Sequence, residues 1–249
     1  MHALVTNDDG IDSPGLAVLA RAALDAGYEV TVAAPAQEAS GSSASLAGAG
    51  YDGRLELEPK LAPGLPDGVR SLAVSATPAL IVFAASYGAL GPRPDLILSG
   101  VNLGPNTGNS VLHSGTVGAA MSGTMLGIPS AAFSLGAFRP QHWETAEHVA
   151  HHVLGWMVRT PLDGRTVNVN VPDVPVSELR GLRQAPLASF GVVQGSVVEA
   201  GERLVVMRYE AVDEPSEPES DAGWLTRCWA TATLLRAPVA DDGLAVPPL

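Results

Sequence analysis

The sequence predicts an α/β fold in which a mostly parallel sheet lies between two layers of helices, a three-layer α/β/α arrangement. Short apolar, β-branched runs alternate with helical patterns through the first two thirds of the chain. Glycine and proline, 27 and 20 of 249 residues, fall between those runs as turn punctuation. No repeat of fixed period interrupts the alternation.

Residues 2–6 (His-Ala-Leu-Val-Thr) read as a short buried strand. Ser13-Pro14 offers a capping side chain followed by proline, so a helix is expected from there to about residue 25, closed by Gly27. Residues 28–33 are β-branched and bounded by Pro35, which completes a β-α-β unit and implies parallel pairing. Thr77-Pro78 starts a helix to about residue 87, 95–99 is a buried strand, and Ser114 caps a helix ending before Gly127. Residues 130–134 form a strand, 143–158 an amphipathic helix and 166–171 an alternating strand. Beyond Pro172 the helical periodicity weakens. Strand-like pieces at 182–187, 204–209 and 226–235 are separated by polar linkers, and the acidic stretch 210–221 reads as a solvated loop. The expected division is an α/β core, 1–172, and a smaller β-rich extension, 173–249, working as a single functional unit.

Fourteen Lys and Arg against 26 Asp and Glu leave a net charge of −12, which argues against holding polymeric nucleic acid or an anionic membrane by bulk charge. A small anionic substrate would need a metal ion or backbone dipoles to offset the repulsion. The single cysteine, Cys228, excludes a disulfide framework within the chain and a Cys-rich zinc site; it is expected in the core, and it fits a reducing compartment. No charged segment with an apolar stretch behind it precedes Asn7, and the longest apolar run, 79–85, is too short to cross a bilayer. A cytoplasmic location without membrane partners is expected.

In open parallel sheets the ligand crevice lies beyond the carboxyl ends of the strands. Three polar clusters fall there. Asn7-Asp8-Asp9-Gly10 follows the first strand and sets two carboxylates side by side, an oxygen-rich pair suited to magnesium or manganese. Ser40-Gly41-Ser42-Ser43 follows the second strand and offers hydroxyls and amides to a cation or a phosphate. The run from Ser99 to Gly108, with glycines at 100, 104 and 108 and asparagines at 102 and 106, leads into Ser114-Gly115-Thr116-Val117 at a helix start, where phosphate is favoured.

These residues, with Pro14-Gly15, Thr77-Pro78 and Asn168-Val169-Asn170-Val171-Pro172, resemble the SurE survival-protein family in order from residue 2 to about 172, and more weakly from Ser220-Asp221 to Leu235. The resemblance implies a Rossmann-like core, a β-rich extension exchanged between subunits of a homodimer or homotetramer, and a metal-dependent phosphatase acting on nucleoside 5′- and 3′-monophosphates. It implies one divalent ion per subunit, manganese or magnesium, on Asp8, Asp9, Ser40 and Asn102, with Asp8 and Asp9 catalytic. Asn106, Ser114, Gly115 and Thr116 would lie beside the phosphate. The chain departs from the family at His113, where tyrosine is usual, at Asn109 and Ser110, where acidic residues are expected, and at Ser122, where glutamate is expected. These departures bear on substrate preference, rate and subunit contacts.

His113 is expected to line the loop wall, its chemical alternative being proton donation to the leaving oxygen. His148, His151 and His152 are expected on an exposed helix face, without the paired glutamate of a metalloprotease. A haloacid-dehalogenase-type phosphatase needs two aspartates separated by one residue, whereas Asp8 and Asp9 are adjacent. The rival from another class is a weakened protein that binds metal and nucleotide as a sensor, motivated by positions 109, 110, 113 and 122. Whether water or a side chain attacks phosphorus stays open at this stage.

Overall fold

The computed structural model describes residues 1–48, 53–200, 204–211 and 215–236. In chain order its elements are β1 (His2–Thr6), α1 (Gly15–Asp25), β2 (Glu29–Pro35), β3 (Leu57–Pro59), β4 (Arg70–Val74), α2 (Pro78–Ser86), β5 (Leu96–Leu103), α3 (Gly115–Met125), β6 (Ser130–Leu135), α4 (Trp143–Met157), β7 (Arg165–Val171), β8 (Leu182–Gln184), β9 (Val193–Ala200), β10 (Val205–Ala211), α5 (Asp221–Leu225) and β11 (Ala230–Arg236).

The main sheet runs β3-β4-β2-β1-β5-β6-β7-β11-β8. Strands β4, β2, β1, β5, β6 and β7 are parallel, and β3 and β11 pair antiparallel with β4 and β7. Because helices cover both faces, the central strands are apolar on both sides. Ala3 and Val5 of β1 join Leu98 of β5 and Phe133 of β6 in the core beneath α1 and α4, while Leu4 and Ile97 face α2 and α3. This is the three-layer α/β/α architecture. A separate antiparallel ribbon, β9-β10, carries exposed Val197, Val198, Val205, Val206 and Met207. Among the described residues no helix is long and apolar enough to cross a membrane.

Several details depart from the expectations. Helix α1 begins at Gly15 after Pro14 without a side-chain cap, and the Ser13 hydroxyl is buried without a hydrogen-bond partner among the described residues. The start is set by packing: a Cβ at Gly15 would lie 2.2 Å from the Val101 carbonyl oxygen, so the helix abuts the end of β5. Cys228 is half-buried, with φ +61°, in the turn after α5 rather than in the core. The piece expected as a strand from 226 begins only at Ala230, because α5 and its turn occupy the preceding residues. Strand β11 lies beside β7 and carries β8 with it, so this part of the chain enlarges the main sheet. Of the loop expected over 210–221, residues 210 and 211 belong to β10, 212–214 lie outside the described residues, and the last, Asp221, is buried with its carboxylate accepting backbone bonds. Strands β3, β4 and β9 were not anticipated.

Candidate active site

Strands β1 and β5 are neighbours, but the chain leaves β1 toward β2 on one side and β5 toward β6 on the other. In open parallel sheets such a switch of direction is where the ligand crevice lies, beyond the carboxyl ends of the strands. The turn after β1 is braced by Asn7, whose side chain donates to the Gly10 carbonyl at 3.0 Å and accepts from the Gly10 amide at 3.1 Å. That brace presents Asp8 and Asp9 to the crevice.

Asp8 is buried, and its Oδ1 accepts a hydrogen bond from the Thr116 hydroxyl. The same Thr116 oxygen lies 3.3 Å from Asn102 Oδ1. Asn102 is fixed in turn by donating Nδ2 to the Gly104 carbonyl at 2.7 Å. Asp9 accepts from the Leu103 amide at 3.2 Å. Three loops therefore meet: the end of β1, the end of β5 and the start of α3.

Burial pushes the Asp8 carboxyl above its ordinary value, opposed by the Thr116 hydroxyl and the amides of Thr116, Asp8 and Gly115. Asp9 is pushed up to about 7, first by burial and then by the neighbouring Asp8 charge, with the Leu103 amide opposing and Glu38 adding to the rise. Two carboxylates this close favour a proton or a cation between them.

The serine loop after β2 is tied over this pair. The Ala39 amide donates to the Asp8 carbonyl at 2.7 Å, Ser43 donates its amide to the His113 carbonyl at 3.3 Å, and its hydroxyl donates to the Leu112 carbonyl at 2.8 Å. Glycine at 115 and 118 permits the contact. A Cβ at 115 would lie 2.5 Å from Ser42 Oγ and 2.8 Å from Asp8 Oδ2, and one at 118 would lie 2.2 Å from the Ser43 carbonyl oxygen. Ser42 Oγ is buried without a hydrogen-bond partner among the described residues. Ser40 is exposed and donates to Glu38 at 2.7 Å. Of the serines in this run, Ser42 thus stands beside Asp8, a choice that spacing alone does not make.

Ser114 caps α3 by accepting from the Val117 amide at 3.1 Å. The glycine-rich loop before it is held from two sides. Alternation along β7 sends Val167, Val169 and Val171 into the core and Asn168 and Asn170 to the opposite face. Both asparagines donate Nδ2 to the Asn106 carbonyl at 2.9 Å, and Asn170 Oδ1 accepts from the Asn106 amide at 2.8 Å. The Asn106 side chain donates to Ser134 at 2.8 Å. On the other side the Gly108 amide donates to Asp221 at 2.9 Å. Sequence reasoning did not give Asp221 a role at the site; the available signal was an acidic residue directly after a capping serine in the weakly matching segment.

His113 is exposed at the rim. Asn109 donates to the Ser189 carbonyl at 3.1 Å, and Ser122 is satisfied within α3 by donating to the Gly118 carbonyl at 2.7 Å. His148 and His152 are exposed on α4, and His151 lies 2.9 Å from an Asp25 carboxylate oxygen. Among the described residues no group of three or more His, Cys, Asp and Glu comes together. The oxygens gathered here, two carboxylates with amide and hydroxyl oxygens, are a hard donor set.

The family described as Survival protein SurE matches residues 3–192. A protein of Methylococcus capsulatus named 5′-nucleotidase SurE is 43% identical over 190 residues, covering 76% of this chain and 71% of that protein. One of Cronobacter sakazakii named 5′/3′-nucleotidase SurE is 42% identical over 185 residues, covering 74% and 68%. The crystal structure of the SurE protein from Aquifex aeolicus superposes with a TM-score of 0.81 at 27% identity, covering 97% of this chain and 95% of that one. The expected resemblance and the mixed α/β fold are thereby established, and the chain belongs to the SurE survival-protein family.

Proposed function

We propose that this chain is a divalent-metal-dependent phosphomonoester hydrolase that converts nucleoside 5′- and 3′-monophosphates to nucleoside and inorganic phosphate. The observation that carries the reading is the junction of Asp8, Asp9, Asn102 and Thr116 at the switch between β1 and β5. The names of the relatives, 5′-nucleotidase and 5′/3′-nucleotidase, support the substrate class.

The residues fit a magnesium or manganese ion: two raised carboxylates lie side by side, and Ser42 Oγ is left unpartnered in the space that Gly115 keeps clear. Asp8, Asp9 and Asn102 would hold it with a serine of the 40–43 loop, Ser40 by family resemblance and Ser42 by its place beside Asp8. Such an ion supplies charge neutralisation for the phosphoryl oxygens and lowers the pKa of water. Thr116 fixes the Asp8 carboxylate toward the cleft. The first amides of α3, at 115 and 116, provide donors and a helix N-terminus for phosphoryl oxygen, and Asn106 flanks them. Asp9, with its proton affinity raised to about 7, is suited to orienting a water or accepting its proton near neutral pH.

We further infer a homo-oligomer of at least two subunits, because the apolar β9-β10 ribbon exposes Val197, Val198, Val205, Val206 and Met207, and a cytoplasmic location, which fits a chain with a single cysteine. Light scattering that shows a monomer at micromolar concentration would refute the assembly. For activity, the test is turnover of nucleoside monophosphates and p-nitrophenyl phosphate with manganese, magnesium or chelator. Metal-dependent release of phosphate is expected; tight binding without turnover would instead establish a sensor.

A further inference from the structure

Asp221 is 0% exposed, yet among the described residues each hydrogen-bond donor to its carboxylate is a backbone amide. Oδ2 accepts from Gly108 at 2.9 Å; Oδ1 accepts from Ala188 at 2.9 Å and from Ala222 at 2.8 Å. One side chain of α5 thereby fastens the glycine-rich loop after β5 to the segment after β8. Further contacts run along the same seam. The Val192 amide donates to Thr107 Oγ1 at 2.9 Å, and a Cβ at Gly108, where φ is +58°, would lie 2.6 Å from the Phe190 carbonyl carbon. A Cβ at Gly191 would lie 2.6 Å from the Thr107 carbonyl oxygen.

Asn106, two residues before Gly108, is held from the core side by Asn168 and Asn170. Its loop is therefore clamped between β7 and α5, and only the β7 half of the clamp lies in the catalytic core. We propose that Asp221 is a positioning residue: it sets the conformation of the 106–110 loop, so the segment after residue 172 controls how tightly the site holds the phosphate of its substrate. This assignment rests on the nucleotidase reading above.

The chemistry requires a carboxylate. Three amides point inward, and burial without an acceptor leaves each unsatisfied. In Asp221→Asn the amide oxygen stays on the side of Ala188 and Ala222, where two donors converge, and the new NH2 group faces the Gly108 amide. The loop is released while the side-chain shape is kept.

The experiment uses the full chain, manganese and adenosine 5′-monophosphate, with Asp221→Asn and the near-isosteric Thr107→Val, which removes the neighbouring tie to Val192. Positioning predicts that Asp221→Asn raises KM and the inhibition constant of inorganic phosphate by about 10-fold or more. Thr107→Val should move both the same way by less, and manganese affinity measured by calorimetry should stay at the wild-type value in both, since neither residue bonds to Asp8, Asp9 or Asn102. A purely structural role predicts lowered melting temperatures with KM and phosphate inhibition unchanged, and that result would overturn the proposal. Weakened manganese binding in both variants would overturn it as well, because the effect would then not be confined to the loop. If Asp221→Asn does not fold, Thr107→Val decides alone. A wild-type chain that shows no turnover would overturn the nucleotidase reading itself and this assignment with it, whereas an active wild type with unmoved variants overturns only the role of Asp221.

Discussion

The Thr116 hydroxyl donates its one proton to Asp8, with Asn102 Oδ1 3.3 Å from the same oxygen, so one side chain at the start of α3 orients Asp8 and lies against a second proposed metal ligand. A residue placed behind a ligand in this way acts through its geometry. Thr116→Val keeps the shape and removes the donor; manganese affinity should fall about 10- to 100-fold. Calorimetric titration checks this against an unchanged circular dichroism spectrum, and wild-type affinity in the variant would show that the hydrogen bond has no orienting role.

The raised proton affinity of Asp9 gives the metal-free protein a defined pH dependence. Its ordinary value is 3.8 and its value in the fold is about 7. Between these the folded chain keeps a proton that the unfolded chain has lost, so the stabilising contribution is complete below the lower value and disappears as pH rises through the upper one. In chelator, the melting temperature should drop from pH 5 to pH 8 by more in the wild type than in Asp9→Asn. Manganese should raise it more at pH 8 than at pH 5, because proton and cation compete for the same carboxylates. Equal pH slopes in the two proteins would contradict the charge crowding inferred for the site.

Gly115 is a steric prediction. Its missing Cβ leaves room for Ser42 Oγ and Asp8 Oδ2, which would otherwise be 2.5 and 2.8 Å away. Gly115→Ala must push back the serine loop or Asp8, so manganese affinity and turnover should both fall, by about 10-fold or more, while α3 keeps its helicity. Full activity in the alanine variant would mean that the serine loop does not need to approach Asp8.

His113 sits exposed on the rim, its carbonyl holding the Ser43 amide. A wall residue predicts that His113→Phe changes KM chiefly and that Tyr is tolerated. A general acid predicts a loss of turnover of about 10² or more, confined to nucleotides, because p-nitrophenolate departs without a proton. Comparing the two substrates in His113→Phe decides between these outcomes, and the wall role is expected.

Much of the candidate site was legible in the residues because its side chains sit where strands end. Asp8 and Asp9 follow the end of β1, Asn102 is the penultimate residue of β5, and the Ser114 cap opens α3, so local punctuation locates all of them. The long-range pairings were not legible. Strand β11 reaches β7 across more than half a hundred residues, with Thr231 opposite Asn170, and no local pattern encodes that register. Asn168 and Asn170 alternate with valines as solvent-facing residues do, yet they are buried because the Asn106 loop folds over them. Asp221 follows an acidic, proline-rich stretch typical of solvated loops; only the approach of the Gly108 and Ala188 amides puts it inside. Ser13 shows the converse, a capping signal overridden by the contact between Gly15 and Val101.

The most direct test is to titrate manganese into metal-stripped protein while heat and phosphate release from adenosine 5′-monophosphate are both recorded, with Asp8→Asn and Asp9→Asn as references. The binding heat and the onset of turnover should saturate together at one ion per chain, and both carboxylate variants should lose both signals while remaining folded. Turnover that persists in chelator, or wild-type turnover in either variant, would contradict the assignment of the Asp8 and Asp9 pair as the metal-holding heart of the site.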